Sequence, residues 1–126
     1  MIRCFITALA AVACLCMAGS GKALAEPLSA DEFRQELVGV PLCGTPKTGA
    51  LAGKTVCTLH LADGSAVLAG AGLLVRGSWE AEGRRICRRT ANDPMDRRRC
   101  VEYERMGPQR YSNSDGVEFC VGPCGE

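Results

Sequence analysis

The sequence predicts a mainly β domain: an antiparallel meander or small barrel of about six strands, with one short N-terminal helix, braced by disulfide bonds. Three observations predict this class. Apolar and polar residues alternate through most of residues 55–121, turn residues separate the alternating segments, and the 126 residues include nine cysteines. Because only 5% of the residues are aromatic, a chain of this size needs crosslinks to supplement a small core.

Residues 1–25 have the pattern of a signal peptide that is cleaved. Arg3 precedes an apolar run over residues 4–18, which is shorter than the roughly 20 residues that span a bilayer as a helix. The small residues Ala23 and Ala25 predict cleavage after Ala25. A lipoprotein signal ending at Cys14 is the alternative, although Ala11 stands where such signals usually have leucine.

Cleavage leaves one β-rich domain, 26–126, with 101 residues and six cysteines. Arg3 and Lys22 leave with the signal peptide, so 13 basic residues face 14 acidic ones and the formal net charge becomes −1. An export signal with an even cysteine count predicts an exported protein, periplasmic or secreted, with a disulfide framework. The mature chain contains no second apolar run long enough to be a transmembrane segment.

Alternation also suggests how the cysteines pair. The preferred bridge is Cys87–Cys100, because both residues fall on the outer face of strands that flank one loop. A local Cys120–Cys124 bridge would leave Cys43–Cys57 by elimination. The alternative joins Cys43 to Cys124 and Cys57 to Cys120. The predicted disulfide residues are therefore Cys43, Cys57, Cys87, Cys100, Cys120 and Cys124.

The helix is predicted over residues 28–37. Ser29 and Glu32 have the spacing of a capping box, and Phe33 and Leu37 share one face. Residues 43–54 are rich in Gly, Pro and Thr and are expected to form a loop.

The strands begin with a hairpin over 55–62 and 65–71. A two-residue Asp63-Gly64 turn would put Leu59 and Leu61 on the apolar face and His60 on a half-exposed face. The next strand, 73–82, places Trp79 inward, and a turn at Glu82-Gly83 would set it opposite Ile86.

The C-terminal strands show the same alternation. After a loop from Arg88 to Arg99, a strand over 100–105 places Val101 and Tyr103 inward. A final hairpin over 110–121 turns at residues 113–116 and places Phe119 inward.

A cluster of arginines is the candidate binding site. Guanidinium groups favour bidentate contacts to carboxylate or phosphate, so we expect an anionic partner: an envelope protein, a lipid or a glycan. The competing interpretation is a solvated loop whose arginines pair with Glu80, Glu82, Glu102 and Glu104. Nucleic acid is disfavoured because the mature chain is not basic overall. The candidate residues are Arg84, Arg85, Arg88, Arg89, Arg97, Arg98 and Arg99.

Catalytic chemistry is not indicated, and we expect no cofactor. His60 is the one histidine, and its predicted neighbours supply no orienting carboxylate. The Cys120-to-Cys124 spacing lacks the helix-start context of redox motifs, and one such pair is too few for a zinc site. The expected function is therefore a non-enzymatic binding module. An envelope protease or lysozyme inhibitor is the alternative, ahead of a redox or metal-binding protein.

One resemblance accompanies these patterns. The segment Gly77-Ser78-Trp79, followed by Gly83, Cys87, Cys100 and Cys120, resembles small exported bacterial β-domains of uncharacterised function over residues 54–124. In those domains a Gly-x-Trp strand precedes a hairpin that bears cysteines. The chain is more distantly similar to periplasmic inhibitors of metalloproteases, and that likeness implies the barrel architecture.

Overall fold

The structure, a computed structural model, describes residues 26–122. The predicted signal peptide, the alternative lipoprotein cysteine Cys14 and Cys124 lie outside the described residues. The chain is mainly β, with one α-helix and antiparallel strand pairing, which confirms the predicted class. The elements are β1 (Glu26–Pro27), α1 (Ala30–Leu37), β2 (Pro41–Gly44), β3 (Val56–His60), β4 (Ser65–Gly70), β5 (Leu73–Glu82), β6 (Arg85–Thr90), a 3₁₀ helix (Met95–Arg97), β7 (Arg99–Val101), β8 (Tyr103–Gly107), β9 (Arg110–Asn113) and β10 (Glu118–Val121).

Ten strands, rather than the predicted six or so, form one sheet in the order β1-β8-β9-β10-β2-β3-β4-β5-β6-β7 that curves into a half-barrel. Two extra strands, β1 and β2, are too short to show alternation. The predicted strand 100–105 is interrupted at Glu102, so β7 pairs with β6 whereas β8 pairs with β9 and β1. The continuous segment 99–107 therefore contributes β7 to one end of the sheet and β8 to the other end.

Helix α1 has the predicted capping box and ends at Leu37 as predicted, but it begins at Ala30, two residues later than the predicted start. The Ser29 hydroxyl accepts from the Glu32 amide at 3.1 Å, and the Ser29 amide donates to the Glu32 carboxylate at 2.9 Å. This capping box satisfies donors that the first helical turn leaves without partners. Phe33 and Leu37 are buried on one face. The helix stops at Val38, where the backbone becomes extended.

An ionic cluster holds α1 to the sheet. The Arg105 guanidinium on β8 pairs with the carboxylates of Glu36 and Glu26, and the Tyr111 hydroxyl donates to Glu36 at 2.8 Å. These contacts join α1, β1, β8 and β9. The Arg105 hydrogen bond, assisted by that of Tyr111, outweighs desolvation and holds the pKa of Glu36 below its usual value.

The core lies on the concave inner face of the half-barrel, beneath α1. The Phe33 ring centroid lies 5.1 Å from those of His60 and Tyr103 and 5.5 Å from that of Trp79. The Trp79 indole N–H donates to the Leu61 carbonyl at 2.8 Å, which satisfies its polar atom. The inward positions predicted for Trp79, Val101, Tyr103 and Phe119 are confirmed.

The predicted register of the first hairpin is wrong by one residue. Gly64 has a φ of +91° and its amide bonds to the Leu61 carbonyl, so three residues, 62–64, form the loop and His60 pairs with Ala66. This is the type I turn with a glycine bulge that is common in three-residue loops. A one-residue shift exchanges the two faces of a strand. His60, predicted to be half-exposed, is therefore fully buried, whereas Leu59 is not in the core.

Other turns and loops also differ from the predictions. The two-residue turn with positive φ at both positions occurs at Ala71-Gly72. The next turn is at Gly83-Arg84, which sets Trp79 opposite Arg88 and Ala81 opposite Ile86. The predicted loops 43–54 and 88–99 are shorter, because β2 extends to Gly44 and β6 extends to Thr90. Extended pairing with neighbouring strands overrides the local loop composition.

Two predicted disulfides are confirmed, Cys43–Cys57 and Cys87–Cys100. Each joins residues that are directly opposite on neighbouring strands, β2 with β3 and β6 with β7. Cys57 is adjacent to the inward-facing Thr58, and Cys87 is adjacent to the inward-facing Ile86. Because successive residues of a strand point to opposite faces, both disulfides lie on the outer face.

The alternative connectivity, Cys43–Cys124 with Cys57–Cys120, is wrong because Cys43 and Cys57 bond to each other. Cys120 is also disulfide-bonded. The Cys120–Cys124 bridge itself remains a prediction, since Cys124 is not described. Between residues 26 and 122 no helix is long and apolar enough to cross a membrane.

Replacing Gly77 by alanine tests the close approach of β5 and β6. An added Cβ would lie 2.1 Å from the Arg89 carbonyl oxygen, so the two strands would have to separate. We expect Gly77→Ala to lower the free energy of unfolding by about 2 to 3 kcal/mol in urea denaturation. Gly107→Ala is the control, because nothing lies within 4 Å of its Cβ, and a change of less than about 0.5 kcal/mol is expected. Equal losses in the two variants would contradict the clash.

Candidate anion-binding site

A cavity of about 270 Å³ opens on the inner face beside the core. Thr58, Leu68 and Val75 contribute to its wall and form one row across β3, β4 and β5, in which neighbours are directly paired. Thr58 is two residues from His60, so alternation places this row on the same face as the core. The row belongs to the open part of the half-barrel.

Arg88 brings positive charge to this inner face. It pairs with Trp79 across β5 and β6 and alternates with the buried Ile86, so its side chain shares their face. Its Nη1 donates to the Thr58 hydroxyl at 3.4 Å. On its other side Arg88 pairs with Arg99 of β7, next to the paired Cys87 and Cys100. The disulfide thus lies one residue from two facing arginines.

The cavity is strongly basic. Five arginines line it, and Asp93 is the single acidic residue among its lining residues. Among these arginines, only Arg99 has a carboxylate partner within residues 26–122, Asp115 at 2.7 Å. The arginines in the lining are Arg76, Arg88, Arg89, Arg97 and Arg99. Arg76 and Arg89 directly follow the inward Val75 and Arg88 on their strands, so their side chains point to the opposite face.

The other lining guanidiniums either donate to neutral groups or make no hydrogen bond. Arg89 donates to the Asp93 carbonyl at 2.6 Å, and Arg88 has only the Thr58 hydroxyl. Within the described chain, 26–122, neither the Arg76 nor the Arg97 guanidinium makes a hydrogen bond or ion pair. On the inner face, Arg88 therefore has no carboxylate partner within the described chain.

Three arginines of the predicted set lie elsewhere. Arg85 pairs with Glu82 at 3.2 Å, and Arg98 pairs with Glu80 at 3.1 Å and Glu82 at 2.7 Å. Arg84 donates to the Pro27 carbonyl at 3.4 Å. The ion-pair interpretation thus describes Arg85 and Arg98, although Glu102 and Glu104 make no such pair with the arginines of the described chain. The seven arginines divide into two groups and do not form one continuous loop surface.

Sequence reasoning missed the apolar part of this site. Leu68 and Val75 come next to the arginines through the pairing of β4 with β5 and of β5 with β6, which local alternation does not reveal. Alternation predicts the orientation of Arg88, which follows Ile86 by two residues, but the predicted loop begins at Arg88 and so omits the last three residues of β6. Continuing the strand to Thr90 would have placed Arg88 inward.

His60 is close to this site but sealed from it. The side chain is fully buried, does not line the cavity, and has neither ring nitrogen hydrogen-bonded within the described chain. Burial, with a smaller effect of the Arg88 charge, lowers the pKa of His60 to about 3. Burial likewise raises the pKa of Tyr103. Residues 26–122 also contain no group of three or more His, Cys, Asp or Glu that could hold a metal ion.

Comparison with known proteins adds no relationship. The chain matches no protein-family model, no curated protein and no solved structure. The resemblance stated from the Gly-x-Trp pattern therefore remains a prediction, and the function must be argued from the site.

The buried His60 predicts that stability depends on pH. Its pKa of about 3 in the folded protein is below the 6.5 of a free histidine, so protons favour the unfolded chain. This stabilisation is complete above about pH 6.5 and is lost as the pH falls. We expect the unfolding free energy to decrease by about 1 kcal/mol per pH unit between about pH 6 and pH 5, where Glu36 does not yet contribute.

Urea denaturation across this range measures the slope, and His60→Leu should flatten it. If that variant does not fold, NMR of the native protein provides the same test, because the His60 ring resonances should not titrate above about pH 4. A ring that titrates near its ordinary pKa would contradict the prediction.

Proposed function

We propose that this protein is an exported, disulfide-stabilised, non-enzymatic module that binds an anionic ligand at the inner-face cavity through Arg88. The observation that carries the proposal is a half-buried guanidinium that faces a basic cavity and has a neutral hydroxyl as its hydrogen-bond partner. A charged group removed from water is costly unless an opposite charge accompanies it. A bound carboxylate or phosphate would supply that charge.

The surroundings of Arg88 favour this role over a structural one. Its charge opposes protonation of His60 and favours ionisation of Tyr103, so it acts on the buried groups around it. A guanidinium stays charged at all ordinary pH values and binds planar anions with two parallel hydrogen bonds. Arg99 faces Arg88 across the strands, where like charges repel, and the Asp115 carboxylate pairs with Arg99 and not with Arg88.

The same groups support a binding role without catalysis. Arginine does not act as a base, and the Thr58 hydroxyl next to Arg88 has no histidine or lysine in the lining that could activate it. Asp93 supplies the single lining carboxylate. Strong positive charge and weak proton-transfer capacity are typical of a binding site.

Substitution of Arg88 tests the site. We expect Arg88→Gln to weaken binding of inorganic phosphate at least tenfold in an NMR titration at low salt, because a charged hydrogen bond is lost. Arg85→Gln is the matched control, since Arg85 is already paired with Glu82 away from the cavity. Saturable shifts should include the amides of residues 88 and 99. Equal effects of the two substitutions, or the absence of saturable shifts, would contradict the proposal.

Export is tested separately by mass spectrometry. Two disulfides between neighbouring strands support an oxidising compartment. The exported chain should begin at Glu26 and contain six cysteines that resist alkylation. Ala25→Arg should block processing, because the peptidase site requires a small residue there. A mass that retains residues 1–25, or reactive thiols in the exported protein, would contradict export with cleavage at this site.

A further inference from the structure

The cavity has an apolar wall facing its basic one. Leu68 and Val75 are directly paired on β4 and β5, and Ala66 precedes them on the same face. Gly77, opposite Ala66, has no side chain to fill the space between this wall and Arg88. Apolar surface and guanidinium groups therefore border one hollow.

The basic wall is held in place from outside. The Cys87–Cys100 disulfide links β6 to β7, and Arg88 and Arg99 form the next pair along the same two strands. Because successive residues point to opposite faces, the disulfide braces the outer face while the two arginines project inward. Their backbones are thus fixed before a ligand arrives, which lowers the entropic cost of binding.

We infer that the ligand is a small amphipathic anion, with a phosphate or carboxylate head held by Arg88, next to the Arg99–Asp115 ion pair, and a short apolar tail lying on Leu68 and Val75. This inference rests on the proposed function and specifies its ligand class. A purely polar anion would leave the apolar wall in water, whereas an apolar tail buries it and gains about 0.8 kcal/mol per methylene, or roughly fourfold in affinity.

The volume of the cavity limits how much of a ligand it can bury. A volume of about 270 Å³ is below the roughly 300–1,000 Å³ of typical small-molecule sites. At about 30 Å³ per water-sized group, it holds roughly nine such groups. A phosphate head with a tail of about four carbons fits this limit, so butyl phosphate is a suitable probe.

Isothermal titration calorimetry with matched probes tests the inference. The probes are inorganic phosphate, butyl phosphate, 1-butanol and butyltrimethylammonium. We expect butyl phosphate to bind at least tenfold more tightly than phosphate, because four methylene-sized groups leave water, with no saturable binding of the alcohol or the cation. Arg88→Gln should weaken both phosphates at least tenfold.

Val75→Thr separates the tail from the head, because it keeps the side-chain shape while making the wall polar. It should weaken butyl phosphate about threefold or more and leave inorganic phosphate unchanged. Leu74→Thr is the control, since Leu74 is 61% exposed and does not line the cavity. Thermal denaturation of both variants checks that they remain folded.

The outcomes separate the two proposals. If both phosphates bind equally tightly and Arg88→Gln weakens both, the amphipathic ligand is wrong and the anion-binding function stands. If neither phosphate binds, the proposed function fails and the ligand class fails with it. Co-sedimentation with phosphatidate vesicles, without binding of butyl phosphate, would identify a membrane surface and overturn the small-molecule ligand.

Discussion

The packing of one aromatic ring into the curve of the sheet organises this small domain. Phe33 contacts His60, Trp79 and Tyr103, so a single helical residue meets strands β3, β5 and β8 from both halves of the sheet order. With few aromatic residues in the chain, this cluster is where most apolar area can be buried. The capping box and the Arg105 cluster fix the helix in the position that this packing requires.

The binding cavity follows from the same arrangement. Helix α1 has eight residues and fills only part of the concave face, so the part around Thr58, Leu68 and Val75 stays open. Both described disulfides lie on the convex face, where they fix the strands without occupying the hollow. The disulfides can therefore make the sheet rigid while the cavity stays open, in a chain too short to surround a ligand completely.

The sequence predicted patterns governed by local chemistry and missed those set by pairing between distant strands. The capping box, the inward Trp79 and Tyr103 and the Cys87–Cys100 bridge followed from spacing alone. The buried state of His60 depended on Gly64 adopting a positive φ, because that choice shifts the hairpin by one residue and exchanges its faces. To predict the cavity, one must know that Arg88 faces Arg99 across β6 and β7. Sequence spacing does not reveal this pairing unless both strands are predicted with the correct ends.

The two outermost strands of the sheet are short, and strand length affects whether copies of the chain can associate through their sheet edges. An open sheet normally presents unpaired backbone groups along its outermost strands, and these can recruit a strand from another molecule. Here the outermost strands are β1, with two residues, and β7, with three, and the bend at Glu102 carries the chain directly from one end to the other. Short outermost strands offer few backbone donors and acceptors of their own for intermolecular strand addition, which is one way in which a sheet limits edge-to-edge pairing.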